Sequence, residues 1–215
     1  MIRCSIRVVI GLLLSLTAAA PAQRQMENLT RGIVAVRQPD GAVYVGWRLF
    51  GTDPETIAFN LYRASGDGSP TKVNETPIAG ATNYVDRGAG AGQTLQYFVR
   101  PVLNGEELAS SWPARIWDKD YLEIPIQRIA EYQPGDASIA DLDGDGEYEI
   151  VLHQVSHGRD NAFAGVTGTP VFDAYEMDGT LMWRINLGIN IREGEHYTQF
   201  MVYDLDGDGR AELVC

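Results

Sequence analysis

Ala137-Ser138-Ile139-Ala140-Asp141-Leu142-Asp143-Gly144-Asp145-Gly146-Glu147-Tyr148-Glu149-Ile150-Val151 returns sixty-three positions later as Phe200-Met201-Val202-Tyr203-Asp204-Leu205-Asp206-Gly207-Asp208-Gly209-Arg210-Ala211-Glu212-Leu213-Val214. A strand-like run leads into Asp-x-Asp-x-Asp-Gly-x-x-Glu and another runs out of it. Each copy therefore reads as two strands joined by an acidic loop. Between the copies, Val171 to Glu176 and Leu181 to Ile185 flank the turn Met177-Asp178-Gly179-Thr180, a hairpin pattern. Each period thus offers about four strands, the content of one propeller blade. Propeller periods run ~40–50 residues, and the extra length here falls in the Gly-rich loop 158–169. One blade cannot bury both of its faces, so blades need neighbours. The expectation is an all-β chain whose residues 119–215 hold the first one to two blades of a β-propeller. Residues 119–130 read as a connector, and the natural protein is expected to continue past Cys215.

The acidic loops predict Ca²⁺. Asp141, Asp143 and Asp145 hold positions 1, 3 and 5, Gly146 makes the sharp turn, the Glu147 carbonyl serves position 7 and Glu149 position 9. Asp204, Asp206, Asp208, Gly209, Arg210 (through its carbonyl) and Glu212 repeat the set. Three carboxylates this close repel one another unless a cation sits among them, and a hard cation wants 6–8 oxygens. The loops are not EF-hands. Position 12 is Leu152 or Cys215 rather than a bidentate Glu, and a strand rather than a helix follows. The predicted role is structural, because such a short loop is filled by its own ligands. Asp136 reads as a turn residue or an outer ligand.

Upstream, residues 29–118 predict an immunoglobulin-like or fibronectin-like β-sandwich of about seven short strands. The strand patterns are Ile33 to Val36, Val43 to Trp47, Ala58 to Arg63, Asn83 to Asp86 and Leu95 to Val102, with Asn104-Gly105 as a hairpin turn. The aromatic residues read as core, with sugar stacking by Trp47 or Trp112 as the alternative. Residues 1–22 have the pattern of a secretory signal peptide: Arg3 and Arg7, the apolar run Val8 to Leu16, and Ala20-Pro21-Ala22. That run is shorter than the ~20 residues of a membrane span. The expectation is a secreted or periplasmic protein, not held in a membrane after cleavage, and monomeric. The net charge of −12 argues against nucleic acid as a partner. Cys4 and Cys215 are the only cysteines, and Cys4 would leave with the signal, so no disulfide framework is expected.

Several stretches together resemble the rhamnogalacturonan lyases of polysaccharide lyase family 11. They are Gly135-Asp136-Ala137-Ser138 with the first acidic loop, Asp173 to Thr180, Trp183 to Arg192, and His196 to Gly209. The sandwich is similar to the β-sheet domain that precedes the propeller in that family. The resemblance implies an eight-bladed, calcium-loaded propeller that cleaves the rhamnogalacturonan I backbone of pectin by β-elimination. It also implies that the catalytic groups lie downstream of Cys215, so no catalytic residue is assigned here and the piece alone is expected to be inactive.

Two residues are candidates for substrate binding: Asn161, in the long loop with Arg159 and Asp160, and His196, just before a strand. His153 reads as a core or metal-adjacent histidine and His157 as exposed. Arg192 reads as a surface residue that could face an acidic sugar, and Trp183 as blade packing. Two other functions compete with the lyase: a non-catalytic calcium-binding propeller adhesin or carbohydrate-binding module, and a quinone-dependent propeller dehydrogenase.

Overall fold

The computed structural model describes residues 28–66, 68–90, 92, 94–160, 162–194 and 198–215. The signal pattern at 1–22, Asn161 and His196 lie outside these. Every regular element among the described residues is a strand, as the all-β expectation requires.

Nine strands occupy residues 34–117: β1 (Val34–Arg37), β2 (Val43–Gly46), β3 (Ala58–Ser65), β4 (Thr71–Lys72), β5 (Ile78–Ala79), β6 (Asn83–Asp86), β7 (Leu95–Leu103), β8 (Glu106–Glu107) and β9 (Ala114–Trp117). Their order is β4-β3-β7-β9-β1-β2-β6, with β5 on β3 and β8 on β7. The alternation in β7 decides which face is inward: Leu95, Tyr97 and Val99 are buried, while Gln96, Phe98 and Arg100 are not. Ala35, Val43 and Val45 meet Phe59, Leu61, Tyr97 and Val99 in one core. Trp47 lies in that core, edge-on to Phe59 with ring centroids 5.4 Å apart. Asn104 and Gly105 both take positive φ (53° and 85°), as a tight two-residue hairpin between β7 and β8 requires.

Strand β9 has no counterpart in the sequence reading. Its beginning pairs antiparallel with β7 (Tyr97 opposite Ala114), and its end pairs parallel with β1 (Ala35 opposite Ile116). One short strand thus joins the two layers of the sandwich along an edge. The two-residue strands β4, β5 and β8 were also not legible, because so few residues carry no periodicity.

After residue 117 the chain runs without regular structure to β10 (Gln133–Ala140). There follow β11 (Glu149–Val155), β12 (Val171–Tyr175) and β13 (Leu181–Asn186), an antiparallel meander in the order β10-β11-β12-β13. A separate pair, β14 (Met201–Tyr203) and β15 (Glu212–Val214), packs on the meander through Val202 and Phe200. The Phe200 ring meets Phe172 edge-on at 4.9 Å. Ala140, Val151, Phe172 and Ala174 complete this second core, with Trp183 packed against it as expected.

Central strand β12 is buried along its whole length, so its other face also needs a cover. The connector supplies it. The Gln127 carbonyl accepts hydrogen bonds from Arg184 Nη2 (2.8 Å) and Gln154 Nε2 (3.2 Å), and the Gln127 amide donates to the Tyr175 hydroxyl (3.0 Å). Beneath it Asp173 is fully buried. Arg184 grips it bidentately (2.6 and 2.7 Å), and Tyr175 and Gln154 also donate to it. Burial works against the Asp173 carboxylate, but these donors outweigh it and hold the pKa below the usual value.

His153 settles as a core histidine, buried and stacked on Phe172 at 4.9 Å. Burial lowers its pKa from 6.5, against the pull of Glu193 and Asp136. His157 is exposed. Asp136 is an exposed residue of β10 rather than of a turn.

Truncating Trp47 to Ala should cost about 3–5 kcal/mol of stability, the range for an aromatic removed from a packed core, measured by urea unfolding. His153 sets a pH dependence. The unfolded imidazole binds a proton more readily than the folded one, so this contribution is complete above pH 6.5 and is lost on acidification below it. Urea midpoints between pH 8 and 5 should fall less steeply for His153→Gln than for the parent chain.

Candidate metal centres

The two acidic loops close on themselves in the same way. In the first, both Asp141 oxygens accept backbone amides, Gly144 N at 2.7 Å and Gly146 N at 2.8 Å. Asp143 accepts Asp145 N, Asp145 accepts Glu147 N, and Glu149 reaches back to Leu142 N at 2.6 Å. In the second, Asp204 accepts Gly207 N (2.7 Å) and Gly209 N (3.0 Å), Asp206 accepts Asp208 N, Asp208 accepts Arg210 N, and Glu212 accepts Leu205 N. The glycines at positions 4 and 6 all have φ between 78° and 91°, a turn that side chains with a Cβ disfavour.

Carboxylate oxygens of Asp141, Asp143 and Glu149 come within 4.8 Å of one another, as do those of Asp204, Asp206 and Glu212. Asp145 and Asp208 stand outside these triads, each accepting the amide two residues on. Asp141 and Glu149 are buried, and so is Asp204. Burial pushes Glu149 up to about 7. The Leu142 amide opposes this, while Asp143, Glu176 and Asp141 add repulsion. A donor set made only of oxygens, partly buried and mutually repelling, fits a hard divalent cation, and each ionised carboxylate keeps lone pairs beyond those its amide partners use.

Glu176, at the end of β12, was not singled out from the sequence. Burial raises its pKa, and Asp143, Asp145 and Asp178 raise it further. Glu176 thus adds negative charge beside the first loop, from a position that no Asp/Gly spacing marks.

The first loop is also a junction. Thr30 N donates to the Gly146 carbonyl at 2.7 Å, and the Thr30 hydroxyl donates to the Glu147 side chain. The Arg48 guanidinium lies 4.4 Å over the Tyr148 ring. The sandwich therefore docks on this loop. From the other side, Ala211 N in the second loop donates to the Asp141 carbonyl at 2.7 Å. The Arg210 side chain runs over Gly144, where a Cβ would come within 3.2 Å of it.

Arg192 braces the 158–169 loop by donating to the carbonyls of Gly165 (2.6 Å) and Phe163. Arg159 donates to the Ala164 carbonyl in the same loop. Glu193 is fully buried and accepts Ser156 N and the Ser156 hydroxyl, both at 2.9 Å.

Comparison with known proteins covers nearly the whole chain. The family model described as the Rhamnogalacturonan I lyases beta-sheet domain matches residues 24–117. The one described as Rhamnogalacturonan lyase family 11, C-terminal domain, matches residues 123–215. The chain is 46% identical over 218 aligned positions to the Rhamnogalacturonan endolyase YesW of Bacillus subtilis (strain 168), covering 96% of this chain and 34% of that protein. It is 48% identical over 205 positions to the Rhamnogalacturonan exolyase YesX of the same organism, covering 90% and 32%. Among solved structures, the Bacillus licheniformis Rhamnogalacturonan Lyase PL11 superposes with a TM-score of 0.80 at 49% identity, over 88% of this chain and 33% of that one. The chain thus spans about a third of the length of the relatives it matches.

Gly146 and Gly209 have nearly the same φ (90° and 91°), but a Cβ on Gly146 would meet Asn28 O and Thr30 Cγ2 at 2.9 Å, while Gly209 has open space. Gly209→Ala should show only the backbone cost, about 1–3 kcal/mol. Gly146→Ala should lose more by urea unfolding and open residues 118–132 to limited proteolysis. Equal losses would contradict the docking of the sandwich on this loop.

Proposed function

The chain belongs to rhamnogalacturonan lyase family 11, and on that premise we propose that it is the calcium-held N-terminal portion of an enzyme that cleaves the rhamnogalacturonan I backbone of pectin by β-elimination. The observation that carries this reading is the coincidence of two equivalent acidic triads with a family match on both sides of residue 118. In such an elimination a base takes the C5 proton of the galacturonate. Its electron pair forms the C4=C5 double bond, and the C4–O bond to the neighbouring sugar breaks. The uronate carboxylate must be neutralised by a cation or hydrogen-bond donors for that proton to leave. The relatives are about three times as long as this chain, and we place the base in the part of the enzyme that this chain does not span. The 215 residues alone are then inactive.

Asp141, Asp143 and Glu149, with the Glu147 carbonyl, would hold one Ca²⁺. Asp204, Asp206 and Glu212, with the Arg210 carbonyl, would hold the other. The ion supplies charge balance to carboxylates that otherwise repel, Glu149 above all. In this reading the meander β10–β13 is a propeller blade and β14–β15 begins the next, stacked through Phe172 and Phe200. Export belongs to the same proposal, since the substrate is an extracellular polymer and residues 1–22 have the signal pattern. The protein acts as a monomer.

Calcium at 100 times its dissociation constant should stabilise the fold by about 2.7 kcal/mol per ion, seen as a rise in melting temperature that chelator reverses. Asp141→Asn and Asp204→Asn should each remove part of that rise. Incubating the enzyme that contains this chain with rhamnogalacturonan should generate unsaturated uronates absorbing in the ultraviolet. Absence of that absorbance would exclude the lyase.

A further inference from the structure

A groove of about 450 Å³ runs between the sandwich and the first acidic loop. Its volume is within the ~300–1,000 Å³ usual for ligand sites. Trp112, Arg115 and Trp117, contributed by β9 and the residues before it, line it together with Arg48 and Tyr148. Trp112 is 56% exposed, a large apolar ring left open to water. Arg115 is also exposed, and its guanidinium meets no carboxylate among the described residues. Arg48 is held over Tyr148 and donates from one nitrogen to the Thr30 carbonyl, which leaves further N–H groups unspent. Two carboxylates also line the groove, Glu147, which accepts the Thr30 hydroxyl, and Asp178. The Asp178 carboxylate caps its own turn by accepting Thr180 N at 2.8 Å.

This combination is specific in a chain of net charge −12. A polyanion is repelled by such a protein at large, so a local unpaired guanidinium beside flat aromatic faces selects where it can settle. The larger hollow on the sandwich lacks this combination. Its guanidiniums are already paired, Arg63 with Asp86 (2.6 Å) and Arg87 with Asp40 (3.1 Å), and no tryptophan lines it.

We propose that this groove is an accessory subsite for an acidic oligosaccharide, in which Arg115 forks onto a uronate carboxylate and Trp112 and Trp117 stack on sugar rings. A planar guanidinium matches a carboxylate bidentately, and an aromatic face suits the apolar side of a pyranose. The subsite lies on the sandwich side of the first acidic loop. It would tether the polymer without taking part in bond cleavage. The assignment rests on the pectin reading above for the class of sugar.

The test is affinity electrophoresis of the whole chain through gels containing rhamnogalacturonan I or neutral galactan, with dissociation constants from tryptophan fluorescence. The parent chain should be retarded by rhamnogalacturonan and not by galactan, more weakly as salt rises. Trp112→Ala and Arg115→Ala should each weaken binding about tenfold, and Arg115→Lys less. Both side chains are exposed, so urea midpoints should stay at the parent value. No retardation of the parent, equal retardation by galactan, or variants that bind like the parent would overturn the subsite. The two readings fail separately. Unsaturated product from the enzyme that contains this chain, without retardation of the chain, keeps the lyase and removes the groove, and retardation without that product does the reverse.

Discussion

The Asp141 carboxylate is the point on which the described structure turns. It is fully buried, and each of its oxygens closes the loop by taking a glycine amide. Its backbone carbonyl takes Ala211 N from the second loop. One residue thus shapes the first loop and fastens it to the second. The geometry gathers negative charge, since Asp143, Glu149 and Glu176 approach the same place. A hydrogen-bonded scaffold can hold these groups in position, but it cannot cancel their repulsion. The acidic cluster is thus a place where a cation could balance charge that the fold itself leaves uncancelled.

The same loop couples the two β units. Thr30 takes up the Gly146 carbonyl and the Glu147 side chain, and Arg48 covers Tyr148. At the far side of the meander, the connector is fastened by its Gln127 carbonyl to Arg184 and Gln154 over the buried Asp173. Its Pro125 packs so close to Gly179 that a Cβ there would clash at 2.5 Å. The sandwich is therefore seated on the first loop, and the connector leading from it is fastened to the meander. The groove bearing Trp112 and Arg115 is a consequence of that docking, because residues of both units line it.

Much of this was legible in the residues. Alternation in Leu95 to Val102, the Asn104-Gly105 turn and the hairpin around Asp178-Gly179 are local signals, and they appear where the pattern put them. The paired loops were legible for the same reason: a run of Asp and Gly at fixed spacing dictates its own backbone. Strand β9 was not, because its pairing switches from β7 to β1 and no local periodicity records that exchange. The connector's role was hidden too, since Gln127 has no distinctive neighbours and its partners lie as far away as Arg184.

The sequence alone determined that the chain is all β and that two acidic loops repeat, because these depend on φ preferences and side-chain spacing within a few residues. Only the tertiary structure decided that Glu176 adds its charge to the first loop and that Thr30 and Arg48 seat the sandwich there. Those outcomes come from contacts between segments far apart in the chain. Burial and through-space repulsion act on distance in space, which spacing along a sequence does not encode.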